Sequence, residues 1–134
     1  MLHLLDTDIA SYILKSKSAE AERRMASIPP AQLAISAVTR AELLYGLKLL
    51  PVNHRLQATV LHFLRIIRVL AWEPDAADYY AEIRHQLVTT GQPIGEMDMM
   101  IAAHALALGA TLVTNNMRHY QRIQAPLLLE NWTL

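Results

Sequence analysis

The stretch Leu2-His-Leu-Leu-Asp6-Thr7-Asp8 runs through three leucines and then presents two carboxylates. Four residues are too few for a helix, so residues 2–5 read as a short buried strand that ends at Asp6. Asp6 or Thr7 then suits the N-cap of a helix reaching about Lys15. A carboxylate at the end of an apolar segment costs several kcal/mol unless its charge is compensated. The same problem recurs at Asp98, inside the nearly uncharged Met97–Leu108, and at Glu42, in the helical pattern Ala41–Leu50. No lysine or arginine adjoins Asp6 or Asp98 in sequence. A divalent cation is the simplest compensator, and oxygen-only ligands select a hard one such as Mg²⁺ or Mn²⁺.

Outward from this stretch, short apolar runs alternate with helical patterns. Ala19–Ile28 is a charged amphipathic helix stopped by Pro29-Pro30. Leu33–Ile35 reads as a strand, and Ser36 caps a helix that carries Glu42 to Leu50, before Pro51. Asn53 is the expected cap of the next helix, through about Ile67, followed by a strand at Arg68–Ala71. Pro74 suits the first turn of a helix reaching Thr90, with Gly91 as its C-terminal signal. Glu96–Leu108 is another helix closed by Gly109, and strands are expected at Thr111–Thr114 and Leu127–Leu129. This alternation predicts a three-layer α/β/α fold with a short central parallel sheet, as one domain over residues 1–134. Sites in such sheets form beyond the carboxyl ends of the strands, where Asp6, Glu42, Asp98 and Thr114–Asn116 would converge.

The 134 residues are 53% hydrophobic, ample for one core. No apolar run reaches the roughly 20 residues of a membrane span, and no basic, cleavable leader opens the chain. With no cysteine there is neither a disulfide nor a thiolate metal site. A cytoplasmic, membrane-free protein is therefore expected. Net charge is zero, which argues against a generic nucleic-acid-coating protein. Five acids (Asp6, Asp8, Glu42, Glu96 and Asp98) are assigned to the suspected site, leaving seven others against twelve Lys and Arg. A chain whose site acids are neutralised thus keeps a mildly basic remainder, compatible with a polyanionic substrate.

Each motif also has a plain structural reading. Asp6 can be only an N-cap, with Asp8 favouring the helix dipole. Glu42 can be solvated beside Arg40 or Lys48. In Gly91-Gln-Pro-Ile-Gly-Glu-Met-Asp98, Pro93 and Gly95 fix a turn that places Asp98 in the first helical turn. His104 follows six residues later, about 240° around that helix, and reads as structural or half-exposed. The other histidines have no metal-ligand spacing. Thr114-Asn115-Asn116 is either a simple turn or a polar wall of the pocket. Trp72 and Trp132 read as packing residues. Strand-Asp-x-Asp also resembles the first motif of haloacid-dehalogenase-type phosphatases, but those need a downstream lysine, and none follows Lys48.

Taken together, Leu-Leu-Asp6-Thr7-Asp8, Ser36 through Glu42 to Gly46, Pro93-Ile-Gly-x-x-Asp98-x-x-Ile-Ala-Ala-His, Leu112-Val-Thr-Asn-Asn-x-Arg118-x-Tyr120 and the closing Glu-Asn-Trp132 resemble the PIN-domain ribonucleases. Within them the chain is similar to the VapC toxins of toxin–antitoxin pairs, across essentially its whole length. The resemblance implies Asp6 and Asp98 as Mg²⁺ ligands (Mn²⁺ substituting), Glu42 as a third catalytic acid, and Thr114 as a nearby polar residue. It also implies RNA cleavage to a 5′-phosphate and a 3′-hydroxyl, with a tRNA as the expected substrate. A VapB-type antitoxin, a homodimer, and operator DNA bound only through the antitoxin are the implied partners. Three departures stand out: Asp8 replaces a usual Asn, Asn116 occupies the fourth acidic position, and Glu96 is an extra acid. Asn116 is accordingly expected to position water or phosphate together with Thr114. Arg40, Lys48 and Arg118 are candidates for the substrate backbone. The competing readings are a catalytically weak PIN-like RNA-binding module and the phosphatase.

Overall fold

A computed structural model describes residues Met1–Leu134. Five strands form one parallel sheet in the order β3-β2-β1-β4-β5. They are β1 (His3–Leu5), β2 (Leu33–Ser36), β3 (Arg68–Leu70), β4 (Thr111–Val113) and β5 (Leu128–Glu130). Seven helices cover them: α1 (Thr7–Leu14), α2 (Ala19–Ser27), α3 (Ala37–Lys48), α4 (Arg55–Ile66), α5 (Pro74–Thr89), α6 (Glu96–Leu108) and α7 (Met117–Tyr120). The expected three-layer architecture is the one observed. No helix is long and apolar enough to cross a membrane.

Strand periodicity assigns the core to both faces of the sheet. Leu4 pairs with Ala34 and Leu112, and all three face one cluster together with Ile83, Leu87 and Ile101. Leu5 pairs with Ile35 and Val113, which face the other cluster with Ile9, Phe63 and Trp132. Burial on both faces is why β1 reads as a continuous apolar run and not an alternating one. Strand order reverses at β1, so the crevice beyond β1 and β4 is the switch point where ligands bind in open α/β sheets. Asp6 and Thr114 directly follow those two strands.

Helix ends follow local chemistry. Asp6 and Ser36 both cap as expected, accepting from the amides of Ile9 and Val38. Gly91 and Gly109 take left-handed φ values of 67° and 62° at the ends of α5 and α6, where a side chain would be strained. The expected cap at Asn53 is corrected: Pro51 to Asn53 belong to the turn, and His54 caps α4 by accepting the Leu56 amide on Nδ1 (3.1 Å). The last strand lies one residue beyond Leu127–Leu129, because its register is set by pairing with β4, Leu128 opposite Thr111.

Ser16 is the one non-glycine residue with positive φ (57°). It follows α1 in a Schellman closure, with the Lys17 amide on Tyr12 O (3.1 Å) and the Ser16 amide on Ile13 O (2.9 Å). A side chain in this conformation costs about 1 kcal/mol. Ser16→Gly is therefore expected to stabilise the chain by roughly 0.5–1 kcal/mol, read as a higher urea midpoint with an unchanged m-value.

Candidate functional site

Asp6 is fully buried at the end of β1. Its Oδ1 accepts the Ile9 amide (2.8 Å) as the N-cap of α1, while Oδ2 is buried and no donor meets it in hydrogen-bonding geometry, with the Thr114 hydroxyl the nearby group that favours its charge. Burial pushes its pKa from 3.8 up to about 7. The Ile9 amide and the Thr114 hydroxyl oppose the rise, and Asp8 and Asp98 add to it. An orphaned carboxylate oxygen in a buried position costs several kcal/mol, so this atom calls for a partner from outside the chain.

Glu42 reaches the same rim from the second turn of α3. Its Oε1 lies 2.6 Å from the Thr7 hydroxyl, which is 3.1 Å from the hydroxyl of buried Thr39. With one proton to give, Thr7 donates to the carboxylate and fixes its direction. Glu42 is also raised, first by desolvation and then by Asp98 and Asp8, against the hydrogen bond from Thr7. Asp98 lies in the first turn of α6. Its Oδ1 accepts the hydroxyl of Tyr120 (3.3 Å), and His119 Nδ1 is 4.0 Å from its Oδ2. Desolvation and Asp8 push its pKa up, against Tyr120 and His119. Asp6, Glu42 and Asp98 thus share one field, in which desolvation and mutual repulsion hold all three above the ordinary carboxylate range.

Thr114 is fully buried after β4, and its hydroxyl accepts the Asn116 amide (2.9 Å). Asn116 in turn donates from Nδ2 to His119 Nδ1 (2.8 Å). Asp8, exposed on α1, raises all three acids and so belongs to the cluster. Glu96 does not. It pairs with Arg84 of α5 (3.2 Å) and stays exposed, because two residues before Asp98 is about 200° around the helix. The extra acid expected at the site is therefore a surface ion-pair partner. Arg40, Lys48 and Arg118 are exposed, and Lys48 borders an apolar groove with Leu44 and Leu47, not the acids.

Two residues named in the sequence take contacts that it did not assign to them. Tyr120 is fully buried beneath the acids, and desolvation together with the negative field raises its pKa far above the usual phenol range. It therefore stays a neutral donor to Asp98. Asn116, His119 and Tyr120 stand at the helical spacing i, i+3, i+4, a signal hidden because α7 is only four residues long. His104 is the second, and of its two expected readings the structural one holds, since the ring is buried. Its Nδ1 lies 2.8 Å from the Ser36 hydroxyl, which caps α3, so it ties the helix of Asp98 to the helix of Glu42. Burial lowers its pKa, which keeps the ring neutral and able to accept from Ser36.

No three carboxylates or imidazoles lie close enough to enclose one ion by themselves. The orphaned Asp6 Oδ2 and the shared upward pKa shifts instead fit a hard dication that keeps several of its waters and takes one or two carboxylates directly. Asp6 and Asp98, which share this field, are the residues that could hold it.

Comparison with known proteins agrees with this geometry. The PIN domain family model matches residues 3–124. The chain is 35% identical over 130 residues to the tRNA(fMet)-specific endonuclease VapC of Shigella flexneri, covering 97% of each. It superposes with a TM-score of 0.89 on VapBC2 from Rickettsia felis bound to a promoter DNA fragment, at 33% identity over 98% of this chain and 99% of that one. DNA-bound VapBC from Salmonella typhimurium gives the same TM-score at 34% identity, with 98% and 99% covered. Parallel topology, the acids at the switch point and these likenesses agree that the chain belongs to the PIN-domain family and, within it, to the VapC ribonucleases.

Proposed function

We propose that this VapC is a Mg²⁺-dependent endoribonuclease toxin that hydrolyses a tRNA, with Asp6, Glu42, Asp98 and Asn116 as its catalytic residues. The observation that carries the reading is the buried Asp6 Oδ2 without a donor, in a carboxyl whose pKa burial, Asp8 and Asp98 push up. Asp6 and Asp98 hold the ion, Mn²⁺ substituting for Mg²⁺. A dication bound there supplies charge relief to the phosphate and acidifies a water. Glu42 takes the proton of the attacking water, a role suited to a carboxylate whose proton affinity burial and the neighbouring Asp98 raise. As the water oxygen bonds to phosphorus, the bond to O3′ breaks and O3′ gains a proton from solvent. Thr114 and Asn116 position water or phosphate, and the neutral Tyr120 hydroxyl holds Asp98 in place.

The tRNA substrate, with initiator tRNA as the first to try, is supported by the name of the Shigella flexneri relative. A VapB-type antitoxin, a homodimer, and operator DNA bound through the antitoxin are supported by the VapBC–DNA structures of Rickettsia felis and Salmonella typhimurium. The test is cleavage of purified tRNA with Mg²⁺ and with EDTA. Discrete fragments carrying 5′-phosphates are expected only with Mg²⁺, and equal cleavage in EDTA refutes the reading. Glu42→Gln is expected to lower kcat about 100-fold while calorimetric Mg²⁺ affinity changes less than threefold. An intact kcat with a large loss of Mg²⁺ binding would make Glu42 a metal ligand instead.

A further inference from the structure

An open polar channel of about 340 Å³ adjoins the acids, with Asp8, Tyr12, Lys15 and Lys17 on one wall and Asn115 and Asn116 on the other. Its register, its backbone and its charge point the same way. Asp8, Tyr12 and the C-cap Lys15 fall at i, i+4 and i+7, so one stripe of α1 and its C-cap leads away from the carboxylates. At 1.5 Å per residue, Lys15 stands roughly 10 Å along the axis from Asp8. The left-handed Ser16 then turns the chain back, so that the Lys17 amide meets Tyr12 O at 3.1 Å and both lysines border the same channel. A strained non-glycine residue that places two cations on one wall is the kind of backbone cost found where a segment has a task. Neither lysine has a carboxylate within ion-pairing distance, since the ion pairs of the chain use only Arg and His.

Paired cations, one aromatic ring and two amides are the groups that bind single-stranded nucleic acid: ammonium for phosphate, ring for base, amide for base edge. We propose that this channel seats one nucleotide of the RNA strand next to the scissile phosphate, with Lys15 and Lys17 on its phosphates and Tyr12 against its base. This rests on the ribonuclease reading above and adds where the strand runs. The acids at one end and the lysines at the other set the polarity of the track: the reacting phosphate goes to the carboxylate end and the neighbouring one to the ammonium end.

The test measures anisotropy of a short 5′-fluorescein-labelled oligouridylate with the Asp98→Asn variant, chosen to suppress cleavage, in Mg²⁺ across a range of KCl. Lys15→Ala/Lys17→Ala is expected to weaken binding about tenfold and to flatten the slope of log K against log salt by about 1.4. Tyr12→Ala is expected to weaken it roughly 5- to 100-fold, with Tyr12→Phe restoring it, because the ring and not the hydroxyl is used. Arg65→Ala, exposed on α4, serves as the neutral control. With Asp98 intact, the lysine pair is expected to raise KM for RNA and leave kcat within about threefold. An unchanged affinity and salt slope for the lysine pair, or Tyr12→Phe as weak as Tyr12→Ala with both melting normally, overturns the proposal. Wild-type protein that fails to cut RNA in Mg²⁺ refutes the ribonuclease reading alone, since the binding series judges the channel separately.

Discussion

Asp6→Asn is expected to reduce RNA cleavage at least about 1000-fold and, in EDTA at pH 8, to raise the melting temperature by several degrees. The two effects share one cause. In the folded chain the Asp6 carboxyl titrates near 7, against 3.8 for an ordinary aspartate. Between those values the native state binds a proton that the unfolded chain has lost, so stability falls as pH rises through that window. Above pH 7 the whole penalty is present, with a ceiling of about 4 kcal/mol for the full displacement. Asparagine keeps the cap, because its Oδ1 still accepts the Ile9 amide. It replaces the donorless Oδ2 by an NH₂ group facing Asp8 and Asp98, turning repulsion into attraction.

The gain should therefore be small at pH 5, where wild-type Asp6 is already neutral, and large at pH 8. Mg²⁺ should raise the melting temperature of the wild type, by mass action on the folded state, far more than that of the variant. Thermal melts at both pH values, with EDTA and with Mg²⁺, check the stability half, and tRNA cleavage checks the other. Equal gains at pH 5 and pH 8, or cleavage at the wild-type rate, would remove Asp6 from the role assigned to it.

Much of this site was legible because its acids violate local rules. Asp6 ends an apolar strand, and Asp98 interrupts an apolar helix, so their charge stands out in a one-dimensional reading. The rim of the site followed from counting short strands, since a parallel sheet gathers all its carboxyl ends on one side; that β1 and β4 are neighbours there is a finding of the structure. Glu96 was misassigned because sequence proximity to Asp98 is not angular proximity on a helix; its direction was set by Arg84 on another helix. His119 and Tyr120 were missed for the opposite reason. Neither breaks a rule locally, and their importance lies in contacts to Asp98, 21 and 22 residues away, made through a helix too short to have a period. His104 was correctly kept out of the site by its angle, but its partner Ser36 lies 68 residues away in sequence, which no local pattern encodes.

Trp132→Ala is expected to cost about 3–5 kcal/mol of stability, the upper range for truncating a buried side chain. The indole is fully buried within three residues of the C-terminus and packs in the same cluster as Leu5, Ile9, Ile35 and Val113. Its Nε1 donates to Glu130 Oε1 (3.0 Å), His3 leans on it at 5.9 Å, and the Arg24 guanidinium sits 5.8 Å from its centre. Truncation therefore opens a cavity, removes one hydrogen bond from a carboxylate oxygen that keeps Arg24 (3.6 Å) nearby, and strips that cation of its π face. The damage should reach the site through the sheet. β5 is an edge strand held only by β4, and the Thr114 amide donates to Glu130 O (2.9 Å), so a loosened edge frees the residue beside Asp6. Urea denaturation followed by circular dichroism measures the loss. Trp132→Phe, which keeps a ring but not the N–H, should fall between the wild type and alanine. Because whole domains hold only about 5–15 kcal/mol, the alanine variant should begin to unfold in dilute urea and lose Mg²⁺-dependent cleavage with it. A midpoint at the wild-type concentration would mean that the C-terminal strand is an appendage, and that the floor beneath Thr114 is built without it.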